Sequence, residues 1–138
     1  MNDTIRKLIK QNETPGDFTY AKFSDAELEL AQRELNLTLP LQYVQFLRTY
    51  GHGGICGVCT DGVGLDGSLV FLENTIEYRS EGLPEHLIVI ENADEWLYCL
   101  DAISGKVVSW DMSGYIKDEY ESFDEYLVGQ MRDAIENL

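Results

Sequence analysis

Basic side chains are scarce in this sequence of 138 residues, where ten lysines and arginines stand against 25 aspartates and glutamates. The resulting net charge of −15 repels the phosphates of nucleic acids and the anionic surfaces of membranes. We therefore expect neither a nucleic acid nor a membrane to be a direct partner. The charge does not indicate disorder, because hydrophobic residues make up 44% of the chain, as in globular proteins.

Long apolar runs are absent as well, and cysteine is rare. No run approaches the roughly 18 residues that a membrane-spanning helix needs. The first seven residues lead into no apolar segment of the secretory type. Three cysteines, an odd number, do not form a disulfide framework. These absences predict a cytoplasmic protein in a reducing compartment.

Proline is limited to three residues, and no Pro/Ser-rich linker, internal repeat or low-complexity segment divides the chain. A length of 138 residues suits one compact domain and is short for two. We therefore expect a single domain over residues 1–138.

Signals for helices lie toward both ends of the sequence. Ser24 with Glu27, and Ser122 with Glu125, have the spacing of a capping box, which marks the first turn of a helix. Apolar residues at helical spacing follow each of them. The predicted helices cover residues 3–11, 24–36 and 40–51, and a last helix begins at Ser122.

The middle of the sequence changes character. Seven glycines between residues 51 and 67 oppose helix and suit turns and twisted hairpins. We therefore expect short strands near Ile55–Cys59 and Val63–Leu65. A short helix should follow over residues 68–78. Its inward face is expected to hold Leu69, Leu72 and Ile76.

Three later apolar runs predict buried strands at Leu87–Ile90, Trp96–Leu100 and Lys106–Trp110. A tight connection joins the last two, so they are expected to form an antiparallel hairpin. Helices, then strands, then a closing helix predict the α+β class. The expected architecture is a mostly antiparallel, twisted sheet packed against the N-terminal helices and a C-terminal helix.

Metal or redox chemistry has one candidate set: His52, Cys56, Cys59 and Cys99. Thiolates and imidazole suit zinc, but structural zinc sites usually show two close ligand pairs, and only Cys56 and Cys59 form one. A thioredoxin-type pair belongs at a helix N-terminus, whereas this one lies among glycines. We expect the cysteines to fill the core, with no metal and no cofactor, and keep a zinc or redox protein as the less favoured alternative.

Catalytic machinery is not evident in the sequence. His52 and His86 are the two imidazoles, and the capping serines have structural roles already. The glycines after residue 50 lack the lysine of a phosphate-binding loop. Nothing assembles a nucleophile, a base and an orienting group, so we predict that the protein is not an enzyme.

Acidic and aromatic side chains interleave between residues 94 and 120. The second half of the chain, residues 70–138, carries 16 acidic and 4 basic side chains. Acids steer a basic partner and aromatics anchor an interface. The alternative is that Trp96 and Trp110 pack in the core while the acids are merely solvated. The partner-binding residues we predict are Asp94, Glu95, Asp111, Tyr115, Asp118 and Glu119.

Three segments carry a family resemblance. The first runs from Leu35 to Gly54, the second from Gly82-Leu83-Pro84 through the strand runs to Asp111, and the third is Ser122–Leu127. In this order and spacing they resemble the SUKH superfamily over about residues 24–129. The resemblance implies a single α+β domain without enzymatic activity. It also implies structural, rather than binding, roles for Pro40, Gly53, Gly54, Asp101, Trp110 and Phe123.

The resemblance also implies a function. Most bacterial members resemble immunity proteins of polymorphic toxin systems, which bind and neutralise a cognate toxin, often a nuclease. Fungal members resemble regulatory scaffolds. A nuclease binds phosphates and tends to have a basic groove, to which an acidic chain is attracted. We therefore predict an immunity protein whose partner is a cognate toxin with a basic surface, with a regulatory interaction module as the alternative.

Overall fold

The computed structural model describes all residues, 1–138. Five helices and four strands follow one another in the order α1 (Asp3–Asn12), α2 (Asp25–Leu35), α3 (Leu41–Thr49), α4 (Val70–Arg79), β1 (Leu87–Asn92), β2 (Leu97–Asp101), β3 (Val107–Trp110), β4 (Ile116–Tyr120) and α5 (Phe123–Glu136). The predicted α+β class is confirmed. None of the helices has the length and apolar character required to cross a membrane.

The sheet is an antiparallel meander with the strand order β1-β2-β3-β4. Because neighbouring strands alternate in direction, the β1–β2 connection (residues 93–96) and the β3–β4 connection (residues 111–115) emerge at one end of the sheet. We call this the loop end. The β2–β3 hairpin turn lies at the opposite end, and the predicted hairpin between these two strands is confirmed.

Both faces of the sheet are buried, but unequally. The main core of 25 residues runs from Ile5 in α1 to Met131 in α5 and packs the helices against one face. The opposite face has a smaller cluster, against which Tyr78 of α4 packs. The strands alternate between the two faces, as the pleat requires. The smaller cluster consists of Leu83, Leu87, Val89, Leu97, Cys99, Val108 and Trp110.

Two β-bulges interrupt this alternation. In β1, Val89 lies opposite Cys99 but Glu91 lies opposite Tyr98, so that Ile90 is an extra residue. In β4 the residue opposite Val107 is Tyr120 and the residue opposite Val108 is Asp118, so that Glu119 is the extra one. A bulge re-aims the side chains beside it. Here the two bulges turn Glu91 and Glu119 toward the face that carries the helices.

The helix ends follow the capping signals. The Ser24 hydroxyl accepts the Glu27 backbone N–H, and the Glu27 carboxylate accepts the Ser24 N–H, which completes a capping box at α2. At α5 the Ser122 hydroxyl accepts the Glu125 N–H. Pro40 precedes α3 as its N-cap and has no N–H to satisfy. The helix boundaries therefore follow from local chemistry.

The strands expected near Ile55–Cys59 and Val63–Leu65 are wrong. This region forms turns with isolated bridges between Gly53 and Thr60 and between Val63 and Leu69. Left-handed backbone at Gly53, Gly57 and even Cys56 (φ 54°) breaks the extended conformation that a strand needs. The segment is nevertheless largely buried, with Ile55 and Val63 in the main core.

Two further expectations are corrected. Ile76 does not face inward: it is 46% exposed, while Leu69 and Leu72 are buried as expected. The inward face of α4 is centred on Phe71 and Thr75, because the Thr75 hydroxyl donates to the Phe71 carbonyl and accepts the Val89 N–H of β1. The strand β4 was not predicted, since its mostly exposed side chains lack an apolar alternation. It is a charged edge strand.

Close backbone contacts explain why the segment after α3 needs glycine. A Cβ on Gly54 would lie 2.2 Å from the Val58 carbonyl oxygen. We expect Gly54→Ala to lower the free energy of unfolding by about 3 kcal/mol or more, because a rigid backbone atom must move. Gly16→Ala is the control: its φ is 90° with no atom within 4 Å, so backbone strain alone should cost about 1 kcal/mol. Urea unfolding of both variants measures this, and equal losses would contradict it.

Candidate functional site

The six predicted partner-binding residues do not form one patch. Asp94 and Glu95 lie on the β1–β2 connection, and Asp111 and Tyr115 lie on the β3–β4 connection, so four of the six meet at the loop end. A small cleft of about 60 Å³ there is lined by Asp94, Glu95 and Asp111 together with Trp96 and Trp110. Tyr115 is exposed beside it and does not line it.

The other two predicted residues lie on β4 and point to opposite faces. Asp118 lies opposite Val108 and pairs with Lys106, whose Nζ is 3.2 Å from the Asp118 carboxylate. Glu119 accepts the Ser109 hydroxyl at 3.2 Å and lies 3.8 Å from the Lys117 Nζ. Both carboxylates therefore already have a cation nearby, unlike the acids of the loop end, for which the chain supplies no ion pair.

The two tryptophans have different environments. Trp110 is 2% exposed in the smaller cluster, with its ring 6.3 Å from that of Tyr78. Trp96 is 39% exposed and meets Tyr98 edge to face at 6.1 Å. The alternative in which both tryptophans pack in the core thus holds for Trp110 but not for Trp96. An exposed tryptophan among acids is typical of an interface anchor.

A row of polar side chains crosses all four strands on the helix-bearing face. The register places Glu91 opposite Tyr98, Tyr98 opposite Ser109, and Ser109 opposite Lys117, while Glu119 bonds to Ser109 from the bulge. We call these five residues the polar row. Sequence reasoning included Tyr98 and Glu119 among the interleaved acids and aromatics but missed Glu91, because a strand with regular alternation would place it on the other face.

Glu91 is held firmly in place. Its Oε1 accepts the Tyr126 hydroxyl and, at 3.0 Å, the Gln130 amide, both from α5. Burial raises the pKa of Glu91, and these hydrogen bonds oppose that rise. No lysine or arginine pairs with it. The carboxylate is thus oriented by neutral donors and left without a counter-charge.

Asp61 is a second carboxylate without a cation, and it lies beside the row. It is 9% exposed, accepts the Asn74 amide at 3.1 Å, and its backbone N–H donates to the bulged Ile90 carbonyl at 2.7 Å. Burial raises the pKa of Asp61 from 3.8 to about 6. Acids perturbed in this way are concentrated at functional sites. Nothing in the sequence distinguishes Asp61 from the other 24 acids.

The structure does not assemble the zinc set considered for the sequence. Cys99 lies in the smaller cluster on the far face, and Cys56 packs against the main core. His52 and Cys59 do meet, with 3.4 Å between Nε2 and Sγ, and Asp61 has a carboxylate oxygen within 4.8 Å of both ligand atoms. This trio shares only His52 and Cys59 with the four residues considered in the sequence.

Hydrogen bonding at His52 works against a metal at this trio. The Gly62 backbone N–H donates to His52 Nδ1 at 2.9 Å, so the neutral ring carries its proton on Nε2, the atom that faces Cys59. A histidine that binds a metal through one ring nitrogen instead uses the N–H of its other ring nitrogen to donate a hydrogen bond. Burial also lowers the pKa of His52 and raises the pKa of Cys59. The pair is therefore neutral, rather than an activated thiolate.

The largest cleft of the molecule, about 630 Å³, lies at the other end of the sheet. It runs between α2, α3 and the β2–β3 turn, and its rim includes the exposed Leu41 and Ile103. Arg48 is its one charged lining residue, and this arginine already pairs with Asp25 at 2.6 Å. The cleft offers apolar surface but no convergent set of polar groups.

Comparison with known proteins places the fold. A family model described as SMI1-KNR4 cell-wall, SUKH_5, matches residues 1–131. The chain belongs to the SUKH family. The resemblance seen in the sequence is thereby confirmed, and the match extends over α1 as well. SUKH proteins are generally immunity or regulatory modules rather than enzymes.

A crystal structure of a protein from Pseudomonas syringae pv. tomato is similar to this SUKH chain. The match covers 91% of this chain and 94% of the Pseudomonas chain, with a TM-score of 0.71 and 21% sequence identity. At this level of identity the likeness supports the fold alone.

The residues with expected structural roles have identifiable contacts. The Asp101 carboxylate accepts the Ile103 and Ser104 N–H groups and so shapes the β2–β3 turn. Phe123 is buried in the main core, with its ring 5.2 Å from that of Tyr43. A Cβ on Gly53 would lie 2.0 Å from the Asp17 carbonyl oxygen. These contacts are consistent with supporting the fold, as are those of Pro40, Gly54 and Trp110 described above.

The raised pKa of Asp61 makes stability depend on pH. The folded chain binds this proton more tightly than the unfolded chain, so the stabilisation is full below about pH 4 and is lost as pH rises to about 6. We expect Asp61→Asn, which keeps an acceptor for Asn74, to match the parent near pH 4. Above pH 6 it should be more stable by up to about 3 kcal/mol.

Urea unfolding of both chains at several pH values between 4 and 8 measures this difference. Glu91 titrates in both chains, and loss of the Asp61 charge removes a repulsion that raises the pKa of Glu91, so the difference between the profiles reports Asp61 together with its coupling to Glu91. If the two profiles of unfolding free energy against pH ran parallel, the pKa of Asp61 would not be raised by burial, and the prediction would be wrong.

The hydrogen bond from Gly62 to His52 predicts that the trio takes up no zinc. Titration with cobalt(II), which reports thiolate ligation through a near-ultraviolet charge-transfer band, is expected to give no more signal than Cys59→Ser gives. A stoichiometric band that disappears in both Cys59→Ser and His52→Ala would contradict the tautomer assigned to His52.

Proposed function

We propose that this SUKH protein is an immunity protein that neutralises a cognate polymorphic toxin, a nuclease with a basic surface, by binding over it in the cytoplasm. The observation that carries the proposal is the loop end, where Asp94, Glu95 and Asp111 surround an exposed Trp96 and have no cation partner. The inhibitor acts by occlusion and performs no chemistry of its own.

Electrostatics support this role. Hydrogen bonds from the Ser113 hydroxyl and backbone N–H lower the pKa of Asp111 and so favour its negatively charged form. Unpaired surface acids attract a basic groove over a distance of about 8 Å at physiological salt. At low salt, such steering raises association rates toward about 10⁸ M⁻¹s⁻¹. A nuclease groove is basic for the same reason, since it binds phosphates.

Apolar anchors lie beside the acids. Trp96, Met112 and Tyr115 are all exposed at the loop end. Large side chains of this kind supply most of the binding energy of an interface when they are desolvated. The loop end thus combines the two features that fast and tight inhibition requires.

Co-expression with the toxin encoded beside the gene tests the function. We expect relief of toxicity and a stable complex on size exclusion. Unrelieved toxicity and no complex would refute the proposal. In that case a regulatory interaction module, favoured by the cell-wall description of the matching family model, is the remaining candidate.

A pair of neutral variants tests the surface. Asp94→Asn with Glu95→Gln removes two charges from the loop end, and asparagine tolerates the left-handed backbone at residue 94 (φ 70°). We expect the association rate with the toxin to fall several-fold and to depend less on salt. Glu29→Gln with Glu34→Gln, exposed acids of α2, is the control with the same change in net charge. Equal effects of the two pairs would show that overall charge, rather than the loop end, steers binding.

A further inference from the structure

We infer that the β1 side of the polar row is a receptor for an arginine side chain of the partner, with Glu91 binding the guanidinium over the ring of Tyr98. The inference rests on the proposed function only in taking the partner to be a basic protein. It adds a second contact surface, on the helix-bearing face, to the acids of the loop end.

Glu91 has one carboxylate oxygen that accepts no hydrogen bond within the chain. Both hydrogen bonds that the chain gives this carboxylate go to Oε1, from Tyr126 and Gln130. Oε2 accepts none, and it is not one of the fully buried polar atoms that lack a hydrogen-bond partner, so it is open to solvent. An oriented carboxylate with one oxygen free and no cation nearby is ready to accept a charged donor.

Aromatic rings surround Glu91 on the helix-bearing face. Tyr126 is fully buried, and the partly buried rings of Tyr98 and Tyr120 lie 5.6 and 5.7 Å from it. The rings of Tyr98 and Tyr120 are 6.4 Å apart. Trp96 continues the aromatic surface toward the loop end. Cations bind over such ring faces, most strongly when partly desolvated.

Negative charge is uncompensated at this end of the row. Asp61, nine-tenths buried and bonded through its backbone N–H to Ile90 next to Glu91, has no cation in the chain to offset it, and neither has Glu91. Glu119 contributes less, because Lys117 already lies near it. The negative charge that has no cation nearby is therefore concentrated at the β1 side of the row. These carboxylates have lost part of their hydration and gained no opposite charge in return. A single guanidinium placed there supplies that charge.

Arginine fits this surface better than lysine. Its planar guanidinium stacks on a tyrosine ring while its N–H groups reach a carboxylate in the same plane, and it is less strongly hydrated than an ammonium group. Strands lie about 4.8 Å apart, so the adjacent Glu91 and Tyr98 are within the span of one guanidinium. Glu119, three strands away from β1, is not.

The test uses the intact protein with argininamide as the probe. Nuclear magnetic resonance titration is expected to shift the ring signals of Tyr98 and Tyr120 with a saturable, millimolar Kd, and lysinamide at equal concentration should bind more weakly. Glu91→Gln keeps Oε1 for Tyr126 and Gln130 but removes the charge. It should weaken argininamide binding about tenfold. Glu77→Gln, an exposed acid of α4, should change nothing.

Several results would overturn the inference: equal binding of argininamide and lysinamide, shifts confined to the loop end, or unchanged binding to Glu91→Gln. The toxin gives an independent readout. If Glu91→Gln binds the toxin as tightly as the parent while the loop-end variant is impaired, the arginine receptor is wrong and the proposed function stands. If argininamide binds at the row but the toxin is not neutralised, the proposed function is wrong and the receptor stands.

Discussion

The extra residue in β1 is the constraint on which the polar surface of this protein depends. Ile90 is inserted between two register pairs, so Glu91 faces the helices beside Tyr98 instead of the smaller cluster beneath Leu97. The bulged carbonyl then bonds to the Asp61 N–H, which ties the glycine-rich segment to the sheet. A regular strand would bury Glu91 among apolar side chains. The bulge instead places Glu91 among the polar side chains that donate hydrogen bonds to it.

The carboxylates that result are held by neutral groups. Tyr126, Gln130 and Asn74 donate to Glu91 and Asp61, and no lysine or arginine takes part. Hydrogen bonds orient the acids but do not remove their negative charge, so the cost of desolvation persists in the free protein. A protein that accepts this cost at a half-exposed surface has charge available for a partner. The same logic links the polar row to the unpaired acids of the loop end.

Local chemistry explains which features the sequence could predict. The capping serines at 24 and 122 and the β-branched run Leu87–Ile90 predicted their elements correctly, because their signals lie within a few neighbouring residues. The glycine-rich strands, the orientation of Ile76 and the strand β4 were missed or wrong, because tertiary contacts decide them. At the candidate site, the interleaving of acids and aromatics in the sequence pointed to the acids that the structure brings together at the loop end. Glu91 and Asp61 were not, since a one-residue bulge and burial by distant segments leave no trace in sequence periodicity.

A partner could dock on either of two surfaces. One is the acidic, aromatic loop end with the polar row, and the other is the apolar cleft near Leu41 and Ile103 at the opposite end of the sheet. Electrostatic and aromatic character favour the first. A crystal structure of the complex with the cognate toxin decides between them most directly. We expect basic toxin side chains at the loop end and over Tyr98 and Glu91. A toxin seated in the apolar cleft, with the acids left in solvent, would contradict it.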